Sequence, residues 1–223
     1  MNKNKIALPD WITRQLDQGR EFRRMVQPME IREAEGEEYT VEGYACTFNE
    51  FYTLWSMDGY EVQECVDRGA FNGCDMSDYI MQYDHHGRVF ARNKNNTLTA
   101  EPDAHGLHTV ARLGGTELGR QVWEEIKGGY SDKMSFAFTV KNDKREVFED
   151  HETGKITVKR TILEISKLYD VSVVSIPAND ATEIFARGLD AGESNWAMQE
   201  LRAYEARRRN KAKLSLRLKM GGH

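Results

Sequence analysis

Ser135 sits in Asp132-Lys133-Met134-Ser135-Phe136-Ala137-Phe138-Thr139-Val140, a stretch of strict alternation. As a strand it turns Met134, Phe136, Phe138 and Val140 to one face and Ser135, Ala137 and Thr139 to the other. The first face is large and apolar and belongs in a core. The second carries small side chains that leave room above the serine, which suits a nucleophile. A serine hydroxyl at neutral pH is a poor nucleophile. It needs a base within hydrogen-bond reach, usually histidine, and a third group that fixes the imidazole tautomer. His85 is a candidate base, placed just after the short strand Ile80–Tyr83, where a rigid scaffold presents chemistry. His86 is the competing base. Asp170 lies inside the otherwise apolar run Leu168–Ile176, and a buried charge requires a partner. That partner is either His85, with Asp170 orienting the ring, or a structural Arg or Lys. Glu164 is the alternative for the orienting role. Acyl transfer also needs donors for an oxyanion. The turn from Ile176 to Asn179 offers backbone N–H groups, although Pro177 has none to give.

These residues need a β framework to bring them together, and the chain reads as one. Phe22–Ile31 and Tyr39–Phe48 form a plausible hairpin around an acidic turn, with Gly43 marking a bulge or a close backbone approach. Residues 49–78 read as a long irregular connection whose aromatics pack on the sheet. Asn95-Asn96 is a turn. Leu98–Glu101 and Leu107–Leu113 are strands joined by Pro102-Asp103-Ala104-His105-Gly106. Thr116 caps a helix with Leu118, Val122 and Ile126 along one face and Gly128-Gly129 as its stop. Lys141–Arg160 is a charged hairpin turning at Glu152-Thr153-Gly154. Thr161–Ile165 and Leu168–Ile176 are two further strands, the second of them central. Short helices are expected around Trp11, Ile12 and Leu16 and over Ala181–Arg187. Residues 202–219 hold eight Lys or Arg against one acid, in spacing that suits a helix or a segment that folds on binding.

Composition limits the alternatives. The chain has 223 residues, 39% hydrophobic and 10% aromatic, enough for a real core. A net charge of −5 and a pI near 5.8 disfavour a general nucleic-acid binder. Cys46, Cys65 and Cys74 are odd in number and lack CxxC spacing, so neither a disulfide framework nor a zinc site is expected, and they read as reduced thiols. His105 and His108 flank a turn without the further ligands that a metal needs. The opening Met1-Asn2-Lys3-Asn4-Lys5 is followed by no apolar h-region, so a secretory signal is not expected, and no apolar run approaches a membrane span.

A series of landmarks occurs in one order. It runs Gly43-Tyr44-Ala45, Phe48, Gly69-Ala70-Phe71, Tyr83-Asp84-His85, Asn95-Asn96-Thr97-Leu98, His105-Gly106-Leu107 and Met134-Ser135-Phe136-Ala137-Phe138. Tyr169-Asp170-Val171-Ser172-Val173-Val174 with Pro177-Ala178 ends it. Over roughly residues 20–187 this order resembles the prohead (capsid maturation) serine proteases of tailed bacteriophages, which are similar in fold to the herpesvirus assemblins. The resemblance implies a mainly β protein with peripheral helices (α+β), built on a closed or partly open antiparallel β-barrel of assemblin type. It implies Ser135 as nucleophile and His85 as base. The third member in the assemblins is a histidine opening the apolar strand that matches Leu168–Ile176, which points to Asp170. The family's usual pattern at the base is Asn-His-Asp, where this chain has Asp84-His85-His86.

The expected division is a peripheral segment 1–20, a protease domain 21–188 and a basic helical or disordered tail 189–223. The implied function is a serine endopeptidase that processes phage capsid or scaffold protein, and itself, inside the procapsid in the host cytoplasm. No metal or cofactor is implied, nor a membrane or specific nucleic-acid partner, while a homo-oligomer is compatible. The basic tail fits a segment that docks on an acidic scaffold partner. Two rival readings are an inactive scaffold- or capsid-binding module of the same fold, and a metal-dependent hydrolase using the histidines.

Overall fold

The computed structural model describes residues 14, 18–32, 38–57, 59–175 and 196–220. The expected helices near Trp11 and over Ala181–Arg187, and the turn Ile176–Asn179, lie outside the described residues. The strands are β1 (Glu21–Pro28), β2 (Glu30–Arg32), β3 (Thr40–Thr47), β4 (Tyr52–Met57), β5 (Tyr60–Val66), β6 (Ile80–Tyr83), β7 (His86–Arg92), β8 (Leu98–Pro102), β9 (Gly106–Arg112), β10 (Lys133–Glu149) and β11 (Ile156–Val174). Helix α1 spans Glu117–Lys127 and α2 spans Trp196–Met220. The chain is therefore mainly β with helices, an α+β protein. Its described strands fall into a seven-stranded and a four-stranded sheet, and no closed barrel is found among the described residues.

By contacts the chain forms two compact units. The first comprises Met1–Glu50, Cys65–Asp143 and Thr161–Asp180. One of its sheets runs β2-β3-β9-β8. Its other sheet places β10 between β1 and β11, with β6 beside β11 and β7 beside β6. The β6–β11 pairing is parallel, Asp170 opposite Ile80 and Val173 opposite Tyr83, so the sheet is mixed rather than antiparallel throughout. Met134, Phe136 and Phe138 enter the core as alternation requires, the two rings stacked with centroids 4.5 Å apart. The small face is buried as well: Ser135 is 3% and Ala137 0% exposed. The ring of His85 fills the room above Ser135.

Several sequence expectations need correction. Glu21–Pro28 does not pair with β3. It joins β10, and only Glu30–Arg32 makes the expected hairpin. The proposed irregular stretch 49–78 contains the β4–β5 hairpin, closed by Met57 opposite Tyr60 around Gly59. Thr161–Ile165 and Leu168–Ile176 are one strand, β11, that begins at Ile156. The helix is as read: the Thr116 hydroxyl accepts from Gly119 N, and Val122 and Ile126 are buried. The second unit comprises Phe51–Glu64, Lys144–Arg160 and Ala181–His223. There Ala197 and Leu201 of α2 pack with Val62, Ile156 and Val158, while residues 206–215 are exposed.

Two features of the first unit lead to tests. The backbone of β9 comes so close to β3 that a Cβ on Gly106 would stand 2.0 Å from the carbonyl oxygen of Cys46. Gly106→Ala should cost about 1–3 kcal/mol, as overpacking does, read as a lower urea midpoint. The β6–β7 hairpin is pinned at its base by Asp78, which accepts from Arg92 Nε (2.8 Å) and Lys94 Nζ (2.9 Å). Chiefly the Arg92 hydrogen bond holds this carboxyl at about 2, below its ordinary 3.8. A depressed acid contributes stability that is full above its ordinary value and is lost as pH falls toward the folded one. The Asp78→Asn variant should therefore lose less Tm than the parent between pH 3.8 and about 2.

Candidate active site

Three different local structures deliver three side chains to one point of the first unit. Ser135 comes from β10, held between β1 and β11. Asp170 comes from β11 and is 2% exposed. His85 comes from the β6–β7 turn. There Tyr83 pairs with His86, leaving Asp84 and His85 as a two-residue loop with φ of 47° and 59°. Two successive left-handed residues are what a type I′ hairpin needs, because that turn matches the twist of its strands. For a histidine this backbone is uncommon, and such strain persists only where surrounding contacts fix it. Asp84 supplies those contacts. Its N–H donates to the Val173 carbonyl (2.8 Å), and its carboxylate accepts from Ser175 N (3.0 Å) and Ser175 Oγ (2.7 Å). Tyr83 adds a hydroxyl contact to Ser131 at 2.6 Å.

The resulting chain of contacts is short and buried. His85 Nε2 is 2.7 Å from Ser135 Oγ, and His85 Nδ1 is 2.6 Å from Asp170 Oδ1. With Asp170 ionised, Nδ1–H donates to it, Nε2 is left as an acceptor, and the Ser135 proton has a place to go. Ser172, two residues along β11 and 0% exposed, donates its hydroxyl to the same Asp170 Oδ1 at 2.6 Å. A second acceptor for the Ser135 proton stands at 2.9 Å, the backbone carbonyl of Arg23 in β1. Phe22 sets its ring edge-on to His85, with centroids 4.7 Å apart.

The other candidates lie elsewhere. His86 is exposed at the start of β7. Glu164 pairs with Lys141 at 2.7 Å. His108 meets Glu42 at 3.2 Å, and His105 lies against the Tyr44 ring in the four-stranded sheet's region. Among the described residues no group of three or more His, Cys, Asp or Glu is placed to hold a metal ion. No described helix is long and apolar enough to cross a membrane. None of the three cysteines is in a disulfide. Burial pushes the Cys46 thiol up to about 12 and that of Cys74 up to about 11, so neither offers a thiolate nucleophile at neutral pH.

Asp84, Ser172, Phe22 and the Arg23 carbonyl escaped the reading of the sequence. Ser172 carried a signal, since it shares a face with Asp170 at i+2 on an apolar strand. Asp84 also carried one, as a left-handed-tolerant residue between a strand and a glycine-containing turn. Nothing local marks Phe22 or Arg23, whose role comes from a strand pairing distant in sequence. No curated protein and no solved structure matches the chain. A family profile does, over residues 27–195, most of the protein and every one of the three contacting side chains, and on that ground the chain belongs to the caudovirus prohead serine protease family.

Proposed function

We propose that the chain is a serine endopeptidase that trims phage capsid or scaffold protein, and itself, during procapsid maturation. The observation that carries this reading is the unbroken contact series from Ser135 Oγ through the His85 ring to Asp170. In it Ser135 attacks the scissile carbonyl. His85 Nε2 takes the hydroxyl proton and later gives it to the leaving amine. Asp170 fixes the tautomer and stabilises the imidazolium that forms. The acyl-enzyme is then opened by water activated by the same imidazole. Backbone N–H groups from Ile176 to Asn179, after the strand that carries Asp170, are the proposed oxyanion donors. The assemblin-type barrel, the division at residues 20 and 188, and docking of the basic α2 on an acidic scaffold segment belong to the same proposal. So does action inside the procapsid, in the host cytoplasm.

Ser172 is assigned as a positioning residue that keeps the Asp170 carboxylate aimed at Nδ1.

Ser135→Ala removes one oxygen and should lower peptide cleavage by about 10⁴-fold or more while far-UV circular dichroism is unchanged. Mass spectrometry over time should show the parent chain shortening and the variant intact. A variant that still trims itself or a capsid partner would overturn the reading.

A hydrogen bond to a charged group contributes about 1.5–3 kcal/mol. Ser172→Ala should therefore lower kcat/KM by roughly 10–100-fold, and Ser172→Thr should restore part of it. In an Asp170→Asn background the Ser172→Ala change should have almost no further effect. Full additivity in that double-mutant cycle would show that Ser172 does not act through Asp170.

A further inference from the structure

The site just described is closed. Ser135 is 3% and His85 8% exposed, yet a peptide bond must come within about 3–3.5 Å of a nucleophile to react. Strand β1 lies against both groups, its Arg23 carbonyl on Ser135 Oγ and its Phe22 ring on His85. We propose that the β10 edge at Ser135 is where an extended substrate peptide adds as a strand, and that residues Glu21–Arg24 of the chain itself occupy that edge and hold the protease shut. This inference rests on the proposed function.

The segment lies as a bound peptide would. It is extended and antiparallel to the nucleophile's strand, with Glu21 opposite Phe138, Phe22 opposite Ala137, Arg23 opposite Phe136 and Arg24 opposite Ser135. Strand addition to a sheet edge is a general mode of peptide recognition, main-chain hydrogen bonds supplying affinity. The occupant touches both reacting groups, its Arg23 carbonyl at Ser135 Oγ and its Phe22 ring at His85. Its contact to the serine is through the carbonyl oxygen, as a hydrogen-bond acceptor. The hydroxyl has one proton, and when Arg23 receives it, His85 Nε2 does not. The occupant thus competes with the base for the proton that catalysis must move.

The segment is also built to leave. The ladder to β10 shifts register between Arg24 and Pro28. Below the shift, Pro28 opposite Lys133 and the Met29 N–H on the Asp132 carbonyl (2.7 Å) anchor the chain independently. Before the segment, Gly19 turns the chain with φ of +72°. The Arg23 guanidinium, 3% exposed, meets the Glu21 carboxylate at 2.6 Å within the segment and also lies over the Phe138 ring of β10, 5.6 Å from its centroid, a contact the segment gives up when it leaves. The family match begins at residue 27, after Glu21–Arg24, and all three site side chains lie within it.

The test is the rate at which a fluorophosphonate labels Ser135 in the full-length protein, with Ser135→Ala as the blank. Phe22→Pro takes away the ring on His85 and a strand N–H. If the open form is normally a minor state, of about 0.1–10%, this variant should label roughly 10–1,000-fold faster than the parent. Phe22→Cys with Ala137→Cys joins the directly opposed pair by a disulfide. The oxidised protein should label more slowly than the same sample after reduction, a comparison in which folding is its own control. Equal labelling of parent and Phe22→Pro, or of oxidised and reduced double variant, would overturn the covering role and leave the protease reading standing. Absence of labelling in every form would overturn the protease reading and this inference with it.

Discussion

A carboxylate placed inside a sheet must be met by donors, or it would not remain charged there. Asp170 is that group. It sits on β11, 2% exposed, and the partners it finds are an imidazole N–H and a serine hydroxyl, each at 2.6 Å. Among the described residues no guanidinium or ammonium is placed at that oxygen. The ring that answers this demand comes from a different element, so burying one acid fixes where the β6–β7 turn must lie. The parallel pairing of β6 on β11 and the clamp of Asp84 on Ser175 follow from the same requirement. Once the ring is held, its far nitrogen falls beside Ser135. The geometry of the nucleophile is thus a consequence of how a charge is accommodated.

Much of this was legible because it is local. Alternation in Met134–Val140 marks a strand whatever surrounds it, and the spacing of Leu118, Val122 and Ile126 after Thr116 marks a capped helix. Asp170 stood out as a charge in an apolar run, and that oddity alone demanded a partner. The fold went wrong where pairing is non-local. Glu21–Pro28 has a strand's composition, but nothing in it says that β10 rather than β3 is its neighbour. The β4–β5 hairpin was missed for another reason. Its Asp58-Gly59 dipeptide is a strong hairpin signal, but the flanking runs mix aromatics with polar residues in no clean period. β11 was split in two because Ser166-Lys167 reads as a break, whereas the strand carries those residues through with Lys167 paired to Asp75 at 2.8 Å.

The two faces of β10 show how burial differs from hydrophobicity. The large side chains were expected inside, and they are. The small face is inside too, because β10 has neighbours on both edges and the His85 ring above it. A serine among small residues on a strand is ordinary when that face meets water. It becomes unusual when the serine is buried and an imidazole stands within hydrogen-bond reach of its hydroxyl.

The turn that carries the imidazole restricts what may change beside it. Position 84 needs a backbone that glycine, asparagine and aspartate accept and that branched side chains resist. The Asn-His-Asp pattern of the resembled proteases and the Asp84-His85 found here satisfy the same rule. Aspartate codons reach asparagine or glycine by one base change, so genetic drift at residue 84 has permitted exits that keep the loop's handedness. Lineages carrying valine or isoleucine at that site would have to rebuild the hairpin before they could inherit the histidine's aim.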